Sequence, residues 1–170
     1  TALYLDEEAL HYAEMATRRN PRDAAAHKRL GAFYLERSRL HDAAGAYKKA
    51  LALDEFDLET LEALGRIALR MNSRDEARDY ALRMLRLSGD DDRIRAAGLM
   101  ALRLSSRVDE LEELERMLVS VSSGVGANRV HRSLLLPIYE ALARMEGAEV
   151  DRQSLGRRAL GFLIEQLFDG

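Results

Sequence analysis

Histidine is the residue type in this chain that is best suited to chemistry, because it titrates near neutral pH and ligates metals. The four histidines are His11, His27, His41 and His131. A metal site on a helix needs two ligands four positions apart with the remaining ligands nearby, and no histidine here is followed at i+4 by another His, Cys or acid within such a set. The sequence therefore predicts no metal and no cofactor. We expect His27 to fill a buried position instead.

Phosphate binding and nucleophilic catalysis have no better support. Gly124-Val125-Gly126 lacks the lysine and hydroxyl residues that complete a phosphate-binding loop, and no strand precedes it. No Gly-x-Ser-x-Gly motif occurs. Paired acids such as Glu112-Glu113 fall on the solvent faces of expected helices. We therefore predict that the chain is not an enzyme.

The composition predicts long helices as the elements that position these residues. Alanine, leucine, arginine and glutamate dominate, and all four favour helix. The two prolines are Pro21 and Pro137, and no segment alternates apolar and polar residues as a strand would. With 170 residues, of which 47% are hydrophobic and 32% charged, the chain can form one core or a short repeat array. The expected fold class is all-α.

Charge and cysteine content exclude several kinds of partner. The net charge is -3 and the two signs are interleaved, which disfavours nucleic acid. The absence of cysteine excludes disulfides and thiol catalysis. No apolar stretch approaches the roughly 20 residues of a membrane span, so we expect no direct membrane insertion. The chain begins at Thr1 rather than methionine, which fits the loss of an upstream targeting segment, so both cytoplasm and periplasm stay open.

The chain repeats itself. A shift of 34 positions superposes identical residues, namely Leu30 on Leu64, Gly31 on Gly65, and Leu35 on Leu69. A shift of 33 continues the series, with Gly65 on Gly98 and Leu69 on Leu102. Each unit predicts two amphipathic helices, over 23–37 and 42–53 in the first. Ser73 followed by Glu76 predicts a capping box at the start of a second helix, and Ser106 followed by Asp109 repeats it.

Leu30-Gly31-x-x-Tyr34, followed by Ala43, Tyr47 and Ala50, resembles the tetratricopeptide repeat (TPR) motif. His27 stands where that family prefers tryptophan. The resemblance implies an all-α, right-handed superhelical solenoid of antiparallel helix pairs with about 3.5 repeats. We assign a half repeat to 6–21 and full repeats to 24–57, 58–90 and 91–123, which together make the TPR-like segment 1–123.

Residues 128–170 predict a divergent helical hairpin that caps the same domain, with helices over 129–144 and 151–168. A glycine- and serine-rich loop over 120–127 precedes it. Pro137 predicts a kink or break after Leu136. The alternative is that this loop and the leucines 134–136 form part of a partner site.

The resemblance implies that the first helix of each repeat lines a concave groove where a partner binds. Register places these residues in the groove: Lys28, Leu35, Glu36, Glu62, Arg66, Leu69, Arg70, Arg95, Leu99, Leu102 and Arg103. An apolar track flanked by arginines suits an extended peptide or amphipathic helix with acidic residues. The alternative is that the leucines pack internally and the arginines pair with Glu36, Glu59 and Glu62. Lys28 fits one position of the carboxylate clamp that some members use, but Ala32 replaces its asparagine.

The resemblance therefore implies a bacterial-type scaffold or adaptor that binds a peptide or helix of another protein. One alternative is a self-associating subunit of a secretion, pilus or envelope assembly, which would form a homo-oligomer through the apolar face around Leu10, Ala13 and Met15. Another is a non-catalytic accessory domain of a larger enzyme.

Overall fold

The computed structural model describes residues 2–87, 91–122, 133–145 and 152–168. Within these ranges the secondary structure is nine α-helices and no strand, which confirms the predicted all-α class. The helices are α1 (Ala2–Arg19), α2 (Ala24–Glu36), α3 (Leu40–Leu53), α4 (Leu58–Arg70), α5 (Arg74–Leu85), α6 (Asp91–Leu104), α7 (Val108–Ser122), α8 (Leu135–Arg144) and α9 (Arg152–Phe168).

The chain forms two compact units, Thr1–Leu87 and Ser88–Gly170, here called the N-terminal and C-terminal units. The N-terminal unit contains α1 to α5, and the C-terminal unit contains α6 to α9. The division falls where the sequence period shortens from 34 to 33 residues. The glycine-rich stretch from 123 onward, with His131, lies outside the described residues.

In the N-terminal unit the helices pack as the predicted pairs. Helix α2 packs on α3 and α4 packs on α5, while α1 and α4 cover the two sides of the first pair. Gly31 makes the first pair possible, because a Cβ there would lie 2.7 Å from the Tyr47 ring. Ala43 and Ala77 are fully buried on the second helices. Small residues therefore allow the close helix approach that the sequence pattern indicates.

The turn inside each pair has the same backbone geometry. Ser38 and Asn72 both adopt the left-handed conformation, with φ of 57° and 58°. After each, an amide donates back across the turn, from Arg39 to the Tyr34 carbonyl at 2.9 Å and from Ser73 to the Ala68 carbonyl at 2.8 Å. This six-residue closure is the Schellman motif. The sequence repeat is therefore also a repeat of hydrogen bonding.

The predicted capping box at Ser73 is wrong. Ser73 occupies the N-cap of α5, but its side chain makes no capping hydrogen bond. The Glu76 carboxylate lies 2.9 Å from the Lys48 ammonium instead of returning to the cap amide. An ion pair with the neighbouring helix thus replaces the local contact that the spacing predicts.

The start of α7 uses a different acid from the one predicted. Glu110, rather than Asp109, accepts hydrogen bonds from the amides of Ser106 at 2.8 Å and Arg107 at 3.2 Å. Asp109 pairs with the Arg107 guanidinium. The helix begins one residue later than the serine spacing indicates, which brings Glu110 within reach of the free amides.

In the C-terminal unit α7 packs on α8 and α8 packs on α9. Pro137 is the third residue of α8, where its missing amide removes no intrahelical hydrogen bond. The chain is helical at Ser133, forms a turn at Leu134 and is helical again from Leu135, so the predicted break is present but lies two residues before the expected point after Leu136. Leu134 and Leu135 are buried, and a Cβ on Gly98 would collide with the Leu134 side chain. These two leucines pack internally rather than form a partner site.

Candidate partner-binding surface

The first helices of the N-terminal unit, α2 and α4, lie side by side and point the same way. At their N-terminal ends, Lys28 Nζ lies 2.7 Å from Glu59 Oε2 and 2.9 Å from Asp57 Oδ2. At their C-terminal ends, Arg70 Nη2 donates to Ser38 Oγ at 3.2 Å. Contacts at both ends therefore join the two helices, and we use the name α2–α4 face for the solvent side of this pair, to which the groove prediction assigns its residues.

Asp57 connects this surface to the start of α4. Its carboxylate accepts from the Glu59 amide at 3.2 Å and from the Thr60 hydroxyl at 2.6 Å. Burial acts to raise the pKa of Asp57, but the hydrogen bonds from Thr60 and Lys28 outweigh it and lower the pKa overall. The hydrogen bond to Glu59, with a smaller contribution from Asp57, raises the pKa of Lys28 against the opposing effect of burial. Asp57 and Lys28 therefore both stay ionised around neutral pH.

Lys28 is consequently not available as a clamp for the carboxylate of a partner. Two acids, Asp57 and Glu59, lie within ion-pair distance of its single charge. An additional carboxylate would be repelled by both. Lys28, one of the predicted groove residues, therefore joins two helices.

The C-terminal half of α4 is open to the solvent. Leu69 is 42% exposed, and Arg66 and Arg70 on either side of it are also exposed. Arg66 Nη1 is 3.9 Å from Glu62 Oε1, a long and solvated ion pair. Within the described part of the chain, Arg70 has no carboxylate partner and bonds only to Ser38. The alternative, in which the leucines pack internally and the arginines pair with acids, therefore explains Arg66 only in part. It does not explain the exposure of Leu69 or the lack of a carboxylate beside Arg70.

On α2 the predicted groove residues are less open. Leu35 is half-buried, whereas Glu36 at the end of the helix is exposed, with Arg37 at 4.0 Å. Helix α2 therefore adds one partly covered leucine and one acid to the α2–α4 face.

The C-terminal unit carries its own version of the pattern on α6. Leu99 is 39% exposed and Leu102 is half-buried. Arg95 and Arg103 are both exposed. Apolar and cationic side chains therefore share the solvent side of this helix as well.

His27 confirms the prediction of a buried position. Its side chain is buried, and Nε2 lies 3.0 Å from the Pro21 carbonyl oxygen. A carbonyl only accepts, so Nε2 carries the proton in this hydrogen bond. Across the residues with described side chains, no three acids or histidines converge as metal ligands. In the same part of the chain, no helix has the length and apolar character to cross a membrane.

The second helices of the N-terminal unit hold a feature that the sequence reasoning missed. A cleft of about 600 Å³ opens between α3 and α5, with Lys48, Tyr80 and Arg83 among its lining residues. The available signal was the i, i+3 spacing of Tyr80 and Arg83 on α5. The predicted groove comprises residues of first helices, so it does not include this cleft between two second helices.

These helix pairs and repeated turns define an all-helical, TPR-like fold. No family model and no curated protein matches the chain. Solved structures do match, among them two crystal structures of MamA that are each 18% identical to this chain. One has a TM-score of 0.53 and covers 79% of this chain and 87% of MamA. The other has a TM-score of 0.52 and covers 88% and 91%. At this identity the likeness supports the fold class alone.

Proposed function

We propose that this chain is a non-catalytic interaction module of the TPR family, of the bacterial type, that binds a peptide or amphipathic helix of another protein. The binding surface is the α2–α4 face. The observation that carries the proposal is Leu69, which is exposed between Arg66, whose ion pair with Glu62 is long at 3.9 Å, and Arg70, which has no carboxylate partner within the described residues.

The chemistry of that surface selects an acidic amphipathic partner. Covering an exposed leucine with apolar side chains is favourable, at roughly 25 cal/mol per Å² of apolar surface. The guanidinium groups of Arg66 and Arg70 bind carboxylates through paired hydrogen bonds. Because Lys28 is held by Asp57 and Glu59, the acidic residues of the partner are directed to the C-terminal half of α4.

The test is a charge reversal. Affinity capture with the full chain, followed by mass spectrometry, identifies what the wild type retains. We expect Arg66→Glu with Arg70→Glu to lose those proteins while helical circular dichroism and melting temperature stay unchanged. A matched control, Lys49→Glu with Arg86→Glu, makes the same change in charge on exposed residues of α3 and the end of α5. Unchanged capture by the α4 variant would refute the proposal.

Self-association is the second candidate, and α1 favours it. Tyr12 and Met15 on this helix are large and exposed, although α1 packs against α2 on another side. Open ends of helical repeats tend to stack on one another. Light scattering should give a mass that rises with protein concentration, and Tyr12→Ser with Met15→Gln should abolish the rise. A constant monomer mass would remove this candidate.

A further inference from the structure

The α3–α5 cleft of the N-terminal unit has a mixed lining, with an apolar part at the end of α3 that reaches the solvent. Leu51 lines it and is buried, whereas Leu53, at the end of α3, is 42% exposed. Phe56, in the connection that follows, is 66% exposed. A large apolar side chain placed here would cover surface that water now contacts, which is favourable.

The polar side of the cleft contains a cation without a counter-ion. Arg83 is half-buried, and its guanidinium donates a single hydrogen bond, at 3.4 Å, to the Glu55 carbonyl. In the described residues no carboxylate comes within ion-pair distance of it. By contrast, the Lys48 ammonium opposite is paired with Glu76 at 2.9 Å. The cleft therefore has one guanidinium that a single negative charge would complete.

Tyr80 adds a hydrogen-bond donor to the same cleft. Its side chain is half-buried, and its hydroxyl makes no hydrogen bond to the described side chains and backbone groups. Burial raises the pKa of Tyr80, although Lys48 and Arg83 act in the opposite direction. The hydroxyl is therefore protonated at neutral pH and can donate to a carboxylate.

We propose that the α3–α5 cleft is a second binding site, for an extended peptide of another protein that carries an acidic residue next to a large apolar residue. The carboxylate pairs with Arg83 and accepts from the Tyr80 hydroxyl. The apolar side chain packs on Leu51 and Leu53. A single carboxylate fits better than a doubly charged phosphate, because Glu55 lines the cleft and Lys48 is already neutralised.

This site does not depend on the α2–α4 face, so the two can be tested separately. Isotope-labelled full chain is titrated with N-acetyl-Leu-Asp-amide at millimolar concentration, with N-acetyl-Leu-Asn-amide as the uncharged comparison. We expect NMR amide shifts around Leu53 and Tyr80 with the aspartate peptide, and an apparent affinity about tenfold lower with the asparagine peptide.

Variants then assign the charge. Arg83→Gln should lose the response to the aspartate peptide, whereas Arg86→Gln, three residues further on, should keep it. Arg66→Glu with Arg70→Glu should also keep it, which separates this site from the α2–α4 face. Circular dichroism confirms that each variant is folded.

Three results would overturn the proposal. The first is no shift at the cleft with either peptide. The second is an equal response to the asparagine peptide or an undiminished response in Arg83→Gln. The third is a set of concentration-dependent shifts at the cleft without any peptide, which would make a second copy of the chain its occupant.

Discussion

In each of the two units an ion pair joins two helices, but the two ion pairs differ in how far they are buried. In the N-terminal unit Lys28 links α2 to α4, and its side chain is 28% exposed beside Glu59 at 64%. In the C-terminal unit Arg158 on α9 reaches Glu115 on α7, and the Glu115 side chain is only 5% exposed. The first ion pair is partly solvated, while the second places a carboxylate in the core.

Burial determines how much each unit depends on its ion pair. A buried charge that loses its partner keeps the full cost of desolvation, whereas water replaces the partner of an exposed charge. The C-terminal unit is therefore the one that should respond more strongly to loss of its cross-helix cation.

The largest expected effect follows from breaking the buried pair. Arg158→Met should destabilise the C-terminal unit by about 3 kcal/mol, because Glu115 is left buried and uncompensated. Hydrogen exchange should show protection lost first in α9 and α7. Adding Glu115→Gln should restore most of the protection, and a double variant as unstable as the single one would contradict this account.

The equivalent change in the N-terminal unit should cost less. Lys28→Met should reduce stability by about 1 kcal/mol, since Asp57 keeps its Thr60 hydroxyl and its place at the positive end of α4. Urea unfolding followed by circular dichroism measures it, with exposed Lys49→Met as the control. A loss of stability equal to that of Arg158→Met would refute the claim that the more deeply buried ion pair is the more costly one to break.

Acid should weaken the ion pair between Lys28 and Asp57 in the N-terminal unit. The pKa of Asp57 is lowered on folding, so its contribution is present above the ordinary aspartate pKa and is lost as the pH falls below about 4. The stability difference between wild type and Asp57→Asn should therefore shrink on acidification. Urea unfolding at a series of pH values measures it, and a constant difference would show that Asp57 is not the titrating group.

The raised pKa of Lys28 affects stability only at alkaline pH. Its contribution is fully present below the ordinary lysine pKa and is lost only as the pH rises beyond it, in strongly alkaline solution. Acid unfolding therefore reports on Asp57 without interference from Lys28.

The smallest expected effect is on stability, from glycine substitutions in corresponding turns of the two units. Asn72 has a left-handed backbone, so Asn72→Gly should stabilise the N-terminal unit by about 0.5 kcal/mol. Ser105 occupies the corresponding place in the C-terminal unit without a positive φ. Ser105→Gly should therefore destabilise by about 0.5 kcal/mol, through the entropy that glycine loses on folding. Thermal melts would show the opposite signs, and equal signs would show that the turns do not differ as described.

The helices were predictable because their signals are local. The segments 23–37 and 42–53 correspond to α2 (Ala24–Glu36) and α3 (Leu40–Leu53), and 151–168 corresponds to α9 (Arg152–Phe168). His27 and Gly31 were also placed correctly, since their repeat positions imply burial and close approach. Helix period, small residues and turn chemistry act over a few positions, so one sequence is enough to read them.

The contacts of the candidate site were not predictable in the same way. Spacing indicated that Ser73 and Glu76 would bond to each other, but Glu76 pairs with Lys48, which is 28 positions away. Register placed Lys28 in the groove, and only packing showed that Asp57 and Glu59 hold it. Long charged side chains have several partners within reach, so sequence spacing alone does not select one of them.

The sequence by itself determined that this chain is a set of paired helices with a period of 34 and then 33 residues. Apolar periodicity and obligatory small residues allow few other solutions. Only the tertiary structure decided which arginines are left without a carboxylate. That outcome depends on distances between side chains of different helices. It leaves Arg70 and Arg83 as the cations, within the described residues, that two proposed partners would neutralise.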